Sequence, residues 1–283
     1  MLRCLIPEAL LLRMVASFAA GFAIVSMVTT LADLFGEGPA GFLGGLPLTG
    51  PVSLLAIGAT QSPTAAIEAT TLFPLGFSVT FAFLLFYAAP RGLRFPARMP
   101  LALGLWFLAA AAVALLAPHD FAASVAASAA IALVVFLARS RVRTLAGSRM
   151  TTTPELGRVI LRGALGGAVV VGVEILSVVS GPSVGGVFAA APAIWSSSLY
   201  VTYRAQGLEF SRSLTWTFMQ TGILTTIPYA IAARYFFSLT GIWVGTALAY
   251  AAISPLAYLA WKLASRRSSP EPTHFGPTAK PSP

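Results

Sequence analysis

Long apolar runs separated by short polar or Gly/Pro-rich breaks dominate the pattern of hydrophobic and polar positions. An α-helix needs roughly 20 apolar residues to cross about 30 Å of hydrocarbon at about 1.5 Å per residue. Nine runs approach that length, covering approximately residues 14–33, 40–59, 67–88, 100–117, 121–138, 159–180, 184–203, 213–233 and 240–261. The pattern therefore predicts an all-α fold, a polytopic transmembrane helical bundle of about nine spans.

Composition supports a lipid environment. Of the 283 residues, 57% are hydrophobic and only 10% are charged, which is too little polar surface to cover a globule. The formal net charge of +9 does not indicate nucleic acid, because the basic residues lie between apolar runs and not on one soluble face. The single cysteine, Cys4, excludes an internal disulfide. We expect an inner (plasma) membrane protein whose main partner is the lipid bilayer.

The basic residues predict the orientation, because Lys and Arg collect on the cytoplasmic side of membrane proteins. Four basic segments follow the third, fifth, seventh and ninth runs; they contain Arg91, Arg94 and Arg98, then Arg139, Arg141, Arg143, Arg149 and Arg158, then Arg204 and Arg212, and finally Lys262, Arg266 and Arg267. An outside amino terminus and a cytoplasmic carboxyl terminus place all four segments inside. This leaves Arg3, Arg13 and Arg234 outside; with Asp33 and Glu37 inside, the amino-terminal end is against the usual bias. A missed segment near the amino terminus or a re-entrant second segment is the alternative.

A shift of 141 residues brings two stretches of the chain into register. The matched residues are Gly44-Gly45 with Gly185-Gly186, Pro51 with Pro192, and Glu68 with Glu209. If each repeat holds four spans, run 121–138 is a single linking helix and the two repeats are inverted. Inverted repeats are common in secondary transporters, since their two arrangements expose one site to either side. Chance matching of Gly and Ala in apolar sequence is the alternative.

The repeat predicts a division of the chain into four parts. These are a first four-helix repeat (1–118), a linking helix with a basic cytoplasmic loop (119–157), a second four-helix repeat (158–264) and a tail (265–283). The tail contains five prolines and too few apolar residues to bury a core, so we expect disordered cytoplasmic chain.

The second half has further features in common with a known family. They are a Gly-rich first span, a second span around Pro192 that ends with Tyr200 and Tyr203, a Pro228-Tyr229 step followed by Tyr235, and a final Trp261-Lys262. In these features the stretch from Arg162 to Lys262 resembles the GlpM family of small four-helix bacterial inner-membrane proteins, whose function is poorly characterised. The Phe-Pro-Thr of that family's second span is Ala191-Pro192-Ala193 here. A more distant likeness to small multidrug-resistance and drug/metabolite transporters implies fused inverted units and transport.

Glu174 is the one acidic residue well inside an apolar run. An ionisable group at membrane depth is unfavourable by about 2.5–3.5 kcal/mol on insertion scales, so by default it marks a pathway, a relay or a partner. We predict that Glu174 binds a proton or cation between the two halves, accompanied by Ser196, Tyr200 or Gln220. In small multidrug transporters a glutamate of the first helix binds drug and proton, and Glu174 is likewise in the first helix of its repeat. A structural carboxyl turned toward the interface is the alternative.

Glu68 and Glu209 each precede the third span of their unit. A carboxylate at a helix start meets unpaired N–H groups and the positive end of the helix dipole, so we predict helix-start roles for both. Gln220 has two interpretations, a group lining a polar cavity or an interhelical hydrogen-bonding group.

The second and seventh runs are the best candidates for a substrate site, because Gly and Pro would interrupt their helices at corresponding places. The residues are Gly41, Gly44, Gly45, Pro47, Gly50 and Pro51 in one run and Pro182, Gly185, Gly186 and Pro192 in the other. The alternative is that Gly and Pro are simply common in membrane helices. Two Gly-x-x-x-Gly motifs, Gly163 to Gly167 and Gly241 to Gly245, predict close helix contacts within the bundle or in a homodimer.

Catalytic motifs are missing from the sequence, which has no GxSxG elbow, no HExxH and only two histidines, His119 and His274. We therefore expect no enzyme, no catalytic residue, no cofactor and no metal. The leading hypothesis is a secondary transporter or permease of an unknown small molecule or ion. Its alternative is a non-transporting scaffold or accessory component of an envelope pathway. A polar cavity with Glu174 between the repeats would favour transport, and a closed apolar interface would favour the scaffold.

Overall fold

A computed structural model describes residues 8–35, 47–89, 92–137 and 156–265. All regular structure in these ranges is α-helical, as predicted. The helices are α1 (Glu8–Phe35), α2 (Thr49–Thr60), α3 (Pro63–Ala69), α4 (Phe73–Ala88), α5 (Phe95–Leu116), α6 (Phe121–Leu137), α7 (Leu156–Ser180), α8 (Pro182–Ala189) and α9 (Ala193–Ser265). Predictions for Arg3, Glu37, Gly41, Gly44, Gly45, Arg91, segment 139–149 and tail residues 266–283 fall outside the described residues.

Helix α9 changes direction at two glycines whose backbone is not helical. Gly207 has φ 85° and Gly241 has φ 77°, a region that glycine adopts without the steric penalty of a Cβ. The glycines divide α9 into α9a (193–206), α9b (208–240) and α9c (242–265). Ser211 donates a hydrogen bond to the Leu199 carbonyl at 2.7 Å, and the Tyr229 and Tyr250 rings are 5.2 Å apart. These contacts show that the chain folds back on itself at both glycines.

Several helices are long and apolar enough to cross a membrane. Four stretches of the described chain meet this test, and a fifth does if α3 and α4, bent by 44° at their junction, form one span. One of the four, Gln206–Ala260, has 55 residues and would be about 80 Å long if straight, but it folds back at Gly241. The described helices thus indicate a membrane-spanning protein, and the count of nine spans stays a prediction.

Helices α1 and α7 pack against each other in antiparallel orientation. The Ser26 hydroxyl donates to the Val159 carbonyl, Gly163 lies against Phe22 and Gly167 lies against Phe18, so the contact moves backward along α1 as it moves forward along α7. A Cβ on Gly167 would come within 2.8 Å of the Phe18 carbonyl oxygen. The Gly163 to Gly167 motif therefore forms a close helix contact inside the bundle, one of its two predicted uses.

Arginine side chains satisfy backbone carbonyls at both ends of the bundle. Arg98, only 2% exposed, donates to the carbonyls of Tyr87 and Ala89 at the end of α4, and Arg212 donates to the Ala88 carbonyl between them. We call this the Tyr87 end of the bundle. At the other end, the Thr60 end, Arg13 donates to the Thr60 carbonyl and Arg234 to the Ile67 carbonyl. The last carbonyls of a helix have no intrahelical partner, which explains why arginine side chains stabilise these ends.

Candidate functional site

A small cavity lies between the start of α2 and the α8–α9a junction. It has a volume of about 20 Å³, which is room for about one water molecule. Its walls come from the start of α2, from α4 and from the α8–α9a junction; they are Pro47, Leu48, Thr49, Phe77, Thr80, Ala190, Ala191, Pro192, Ile194 and Trp195. We refer to it as the central cavity.

The seventh predicted run is interrupted as expected. Helix α8 ends at Ala189, residues 190–192 are not helical, and α9a begins at Ala193 directly after Pro192. Proline lacks an N–H and restricts the residue before it, so a break at this place follows from the sequence.

The described part of the second run begins at Pro47. Pro47 and Leu48 are not helical, and α2 begins at Thr49. Pro51 lies in the first turn of α2, where a missing N–H costs no intrahelical hydrogen bond. Pro51 therefore lies inside the start of α2 and does not interrupt it, while Gly41, Gly44 and Gly45 of the same predicted group lie outside the described residues.

The carbonyl groups of Ala190, at the break, and of Pro47, just before α2, are hydrogen-bonded by side chains from distant parts of the chain. Thr80 donates to the Ala190 carbonyl at 2.7 Å and accepts a hydrogen bond from the Trp106 indole at 2.9 Å. Tyr250 donates to the Pro47 carbonyl at 2.7 Å. Interrupted backbone at membrane depth requires such partners, because no water is there to replace them.

Aromatic rings close one side of the central cavity. Trp195 lies between Phe77, whose centroid is 5.8 Å away and nearly perpendicular, and Phe218, which stacks on it at 5.9 Å. Gly222 allows this arrangement, since a Cβ there would come within 2.9 Å of the Trp195 ring. On this side the aromatic rings would have to move to admit a larger molecule.

Glu174 is buried between the two halves of the chain. Its side chain is only 1% exposed, and neither carboxyl oxygen has a partner in hydrogen-bond geometry. The groups that interact with it electrostatically are Ser17 and Arg13 of α1 and Thr60 of α2, although Arg13 donates its hydrogen bond to the Thr60 carbonyl. The carboxyl therefore faces the first half, as predicted, in a polar cluster at the Thr60 end.

The predicted companions of Glu174 lie elsewhere. Ser196 donates to the Ala193 carbonyl within its own helix, and Gln220 is buried in α9b. Tyr200 is 39% exposed and packs against Phe95, near the Tyr87 end. None of the three is among the groups that act on Glu174, which come from α1 and α2. Sequence reasoning missed Ser17 and Thr60, whose hydroxyls carry no local signal.

The two repeat-related carboxylates have different surroundings. Glu209 follows Gly207 in the first turn of α9b and forms an ion pair with Arg212 at 2.6 Å, which fits the predicted helix-start role. Glu68 lies in the last turn of α3, whose start is capped by Ser62 instead. Its carboxyl faces Ser183 in the first turn of α8 at 3.4 Å. Glu68 therefore lies at the end of its own helix, and the predicted helix-start role in that helix is wrong.

No protein-family model, curated protein or solved structure matches the chain. The resemblance to the GlpM family stays a prediction, and function has to be argued from geometry. Within the described ranges, no three His, Cys, Asp or Glu side chains are grouped so that they could hold a metal ion. Two places remain as candidate sites, the central cavity and the Glu174 cluster, and both lie between the first and second halves of the chain.

Proposed function

We propose that the protein is a secondary transporter or permease built from two inverted four-helix units joined by α6. The observation that carries this proposal is the meeting of a helix start from the first half with the helix break at Pro192 of the second half at the central cavity. Discontinuous helices in corresponding positions of two repeats surround the substrate in many secondary transporters. Rocking of one unit against the other would open the cavity to each side in turn.

The contact between α1 and α7 supports the inverted repeat. Phe22 lies against Gly163 and Val25 against Gly166, and each pair is separated by the 141 residues of the internal repeat. Residues that contact their own repeat equivalents lie close to a twofold axis. Because the two helices are antiparallel, the twofold axis that relates them is perpendicular to both helices. An axis in the membrane plane has this orientation.

The fold-back points support nine crossings. The chain folds back at Gly207 and Gly241, and the Arg98 and Arg212 contacts lie at the opposite end of the bundle from Arg13 and Arg234. With the Tyr87 end in the cytoplasm, the described part of the chain obeys the positive-inside rule apart from Arg13 and Arg234. Both of those exceptions make hydrogen bonds to backbone carbonyls.

Glu174 is the proposed coupling residue. A carboxyl buried without a hydrogen-bond partner is costly as an ion, so it requires a proton or a counter-charge. Arg13 is near enough to act on it electrostatically but is bonded to the Thr60 carbonyl. When the Glu174 carboxyl loses its proton, Arg13 would leave the Thr60 carbonyl and pair with it. When the carboxyl regains the proton, Arg13 would return to Thr60. This exchange would change the contact between the two halves.

Cysteine accessibility tests alternating access without knowledge of the substrate. Cys4 is the only cysteine, so Cys4→Ser gives a thiol-free background in which Ala191→Cys reports on the central cavity. A transporter predicts that a membrane-impermeant thiol reagent labels Ala191→Cys from both sides of oriented vesicles. His119→Cys, in a loop, is the control that should be labelled from one side only. Leu115→Cys, on the exposed apolar face, is the control that should not be labelled. Protection of Ala191→Cys from both sides would support the scaffold hypothesis.

Glu174→Gln tests the coupling role in the same background. The substitution keeps the shape of the side chain and removes its ionisation, so labelling of Ala191→Cys from the two sides should no longer depend on pH. Glu209→Gln is the matched control, since that carboxylate is 72% exposed and paired with Arg212. Equal pH dependence of the Glu174→Gln and Glu209→Gln proteins would assign Glu174 a structural role.

A further inference from the structure

Helix α9b carries an arginine near each of its ends, and each arginine is bonded to the first half of the chain. Arg212 lies near the start of the helix and Arg234 near its end. Their separation of 22 residues in the sequence spans about 33 Å at about 1.5 Å per residue, which is close to the thickness of the hydrocarbon core, about 30 Å. The two arginines therefore lie at opposite faces of the membrane.

Arg212 holds α9b to the end of α4 at the Tyr87 end of the bundle. Its Nε and Nη2 donate to the Ala88 carbonyl at 2.8 and 2.6 Å, while Nη1 pairs with Glu209 of its own helix. The adjacent Ser211 hydroxyl is hydrogen-bonded to the Tyr87 hydroxyl at 2.8 Å. A hydrogen bond from a charged donor is stronger than a neutral one, so Arg212 contributes strongly to this contact between the halves.

Arg234 holds the opposite end of α9b to the end of α3. Its Nη1 is within hydrogen-bond distance of three acceptors, the Ile67 carbonyl at 3.1 Å and the hydroxyls of Thr70 and Thr71 at 3.2 and 3.1 Å. Its guanidinium group also lies over the Phe121 ring, 4.6 Å from the centroid, at the start of α6. One side chain thus joins α9b to the first half and to the linking helix.

The Arg212 contact closes the central cavity on its own side. Helices α4 and α9a contribute Phe77 and Trp195 to the cavity wall, and both continue from the cavity toward Arg212. Between the cavity and this end, the Phe95 ring of α5 stacks on the Tyr203 ring of α9a with 4.0 Å between centroids. An opening on this side would have to separate α9a and α9b from the first half, so it would break the hydrogen bonds of Arg212.

The Arg234 contact closes the cavity on the other side. Helix α3 leads into α4, and α8 leads to the break at Ala190, so both run from this end into the cavity wall. They are packed tightly together, since a Cβ on Gly186 of α8 would lie 1.8 Å from the Ala69 carbonyl oxygen at the end of α3. An opening here would have to separate α8 and α9b from α3, so it would break the hydrogen bonds of Arg234.

From these contacts we infer that Arg212 and Arg234 control the two sides of the central cavity: release of Arg212 opens the Tyr87 side, and release of Arg234 opens the opposite side. The inference rests on the proposed function and deepens it, since it assigns the control of alternating access to α9b. Because α9b is one continuous helix, a tilt that moves one end away from the first half leaves the arginine at the other end in place. With both contacts formed, the cavity is closed on both sides.

Labelling of Ala191→Cys from each side of oriented vesicles, in the Cys4→Ser background, tests this control. Arg212→Gln removes the charged donor at the cytoplasmic end, so we expect about tenfold faster labelling from the cytoplasmic side and no faster labelling from the outer side. Arg234→Gln should give the reverse pattern. Arg212→Lys and Arg234→Lys, which keep a charge and a donor, should lie between the glutamine variants and the original chain.

Arg204→Gln is the matched control. Arg204 is exposed near the end of α9a, and its replacement makes the same change in charge close to the Tyr87 end, so both labelling rates should stay those of the original chain. A partly unfolded protein would be labelled faster from both sides, so opposite one-sided changes cannot come from a loss of structure. The inference is overturned if Arg212→Gln and Arg234→Gln change the two rates equally, or if both behave like Arg204→Gln.

Failure of this inference is distinguishable from failure of the proposed function. If Ala191→Cys is labelled from both sides but the arginine variants favour neither side, the transporter proposal stands and control by α9b is refuted. If Ala191→Cys is protected from both sides until Arg212→Gln or Arg234→Gln admits the reagent from its own side, the arginines close the cavity and alternating access is refuted. Protection in all three proteins would refute both.

Discussion

Two glycines of α7, Gly167 and Gly172, allow a quantitative test of the contact between the halves. The perturbation is an alanine at each position in turn. At Gly167 the new Cβ would lie 2.8 Å from the Phe18 carbonyl oxygen, about 0.6 Å closer than ordinary van der Waals contact. At Gly172 nothing lies within 4 Å of the new atom. The two substitutions therefore differ in packing but not in chemistry or in helix.

The expected magnitudes follow from packing and helix propensity. Alanine gains about 0.5–1 kcal/mol over glycine inside a helix, and this gain applies to both variants. Overpacking costs about 1–3 kcal/mol where the neighbour cannot give way, and the neighbour of Gly167 is backbone. Gly172→Ala should thus be stabilised by up to about 1 kcal/mol, and Gly167→Ala should lie about 1–3 kcal/mol below it.

Equilibrium unfolding in mixed micelles of a mild detergent and sodium dodecyl sulfate measures this difference. Because the propensity contribution cancels between the two variants, the gap in unfolding free energy reports the α1–α7 contact alone. Equal stability of Gly167→Ala and Gly172→Ala would show that α1 and α7 are not in close antiparallel contact. The geometric support for an inverted repeat would then be lost.

Three further outcomes are expected. Gly186→Ala should sharply reduce the yield of folded protein, because the new Cβ would lie 1.8 Å from the Ala69 carbonyl oxygen, whereas Gly104→Ala, with open space around it, should not. Arg98→Gln should lower the free energy of unfolding by about 2 kcal/mol or more, because it removes charged hydrogen bonds to the carbonyls at the end of α4. Arg204→Gln, on the surface, should leave the free energy of unfolding nearly unchanged in the same assay. Reporter fusions after Gly147 and Ser268 should report cytoplasm and fusions after His119 and Leu239 the outer side; a cytoplasmic signal at His119 would contradict the nine-span map.

Corresponding features of the two halves differ in how far the sequence predicts them. The break before α9a follows from Pro192, and the close contact of α7 follows from Gly163 and Gly167, because both depend on a local rule of backbone or side-chain size. Pro51 obeys the same rule in another way, since proline is tolerated in the first turn of a helix. A proline can break a helix, as Pro192 does, or lie in its first turn, as Pro51 does. The sequence could not distinguish these two roles, because the choice depends on where α2 begins.

What the sequence determined by itself is the all-helical, membrane-type character of the chain and the places where helices break or approach closely. These depend on the length of apolar runs and on Gly and Pro, which act over a few residues. The tertiary structure decided which side chains meet: Thr80 with Ala190, Tyr250 with Pro47, and Glu174 with Ser17 and Thr60. Those partners are separated by over a hundred residues, and their hydroxyls look like any others in the sequence. Only the packing of α1 and α2 against α7 explains why Glu174 lies beside them and not beside Ser196, Tyr200 or Gln220.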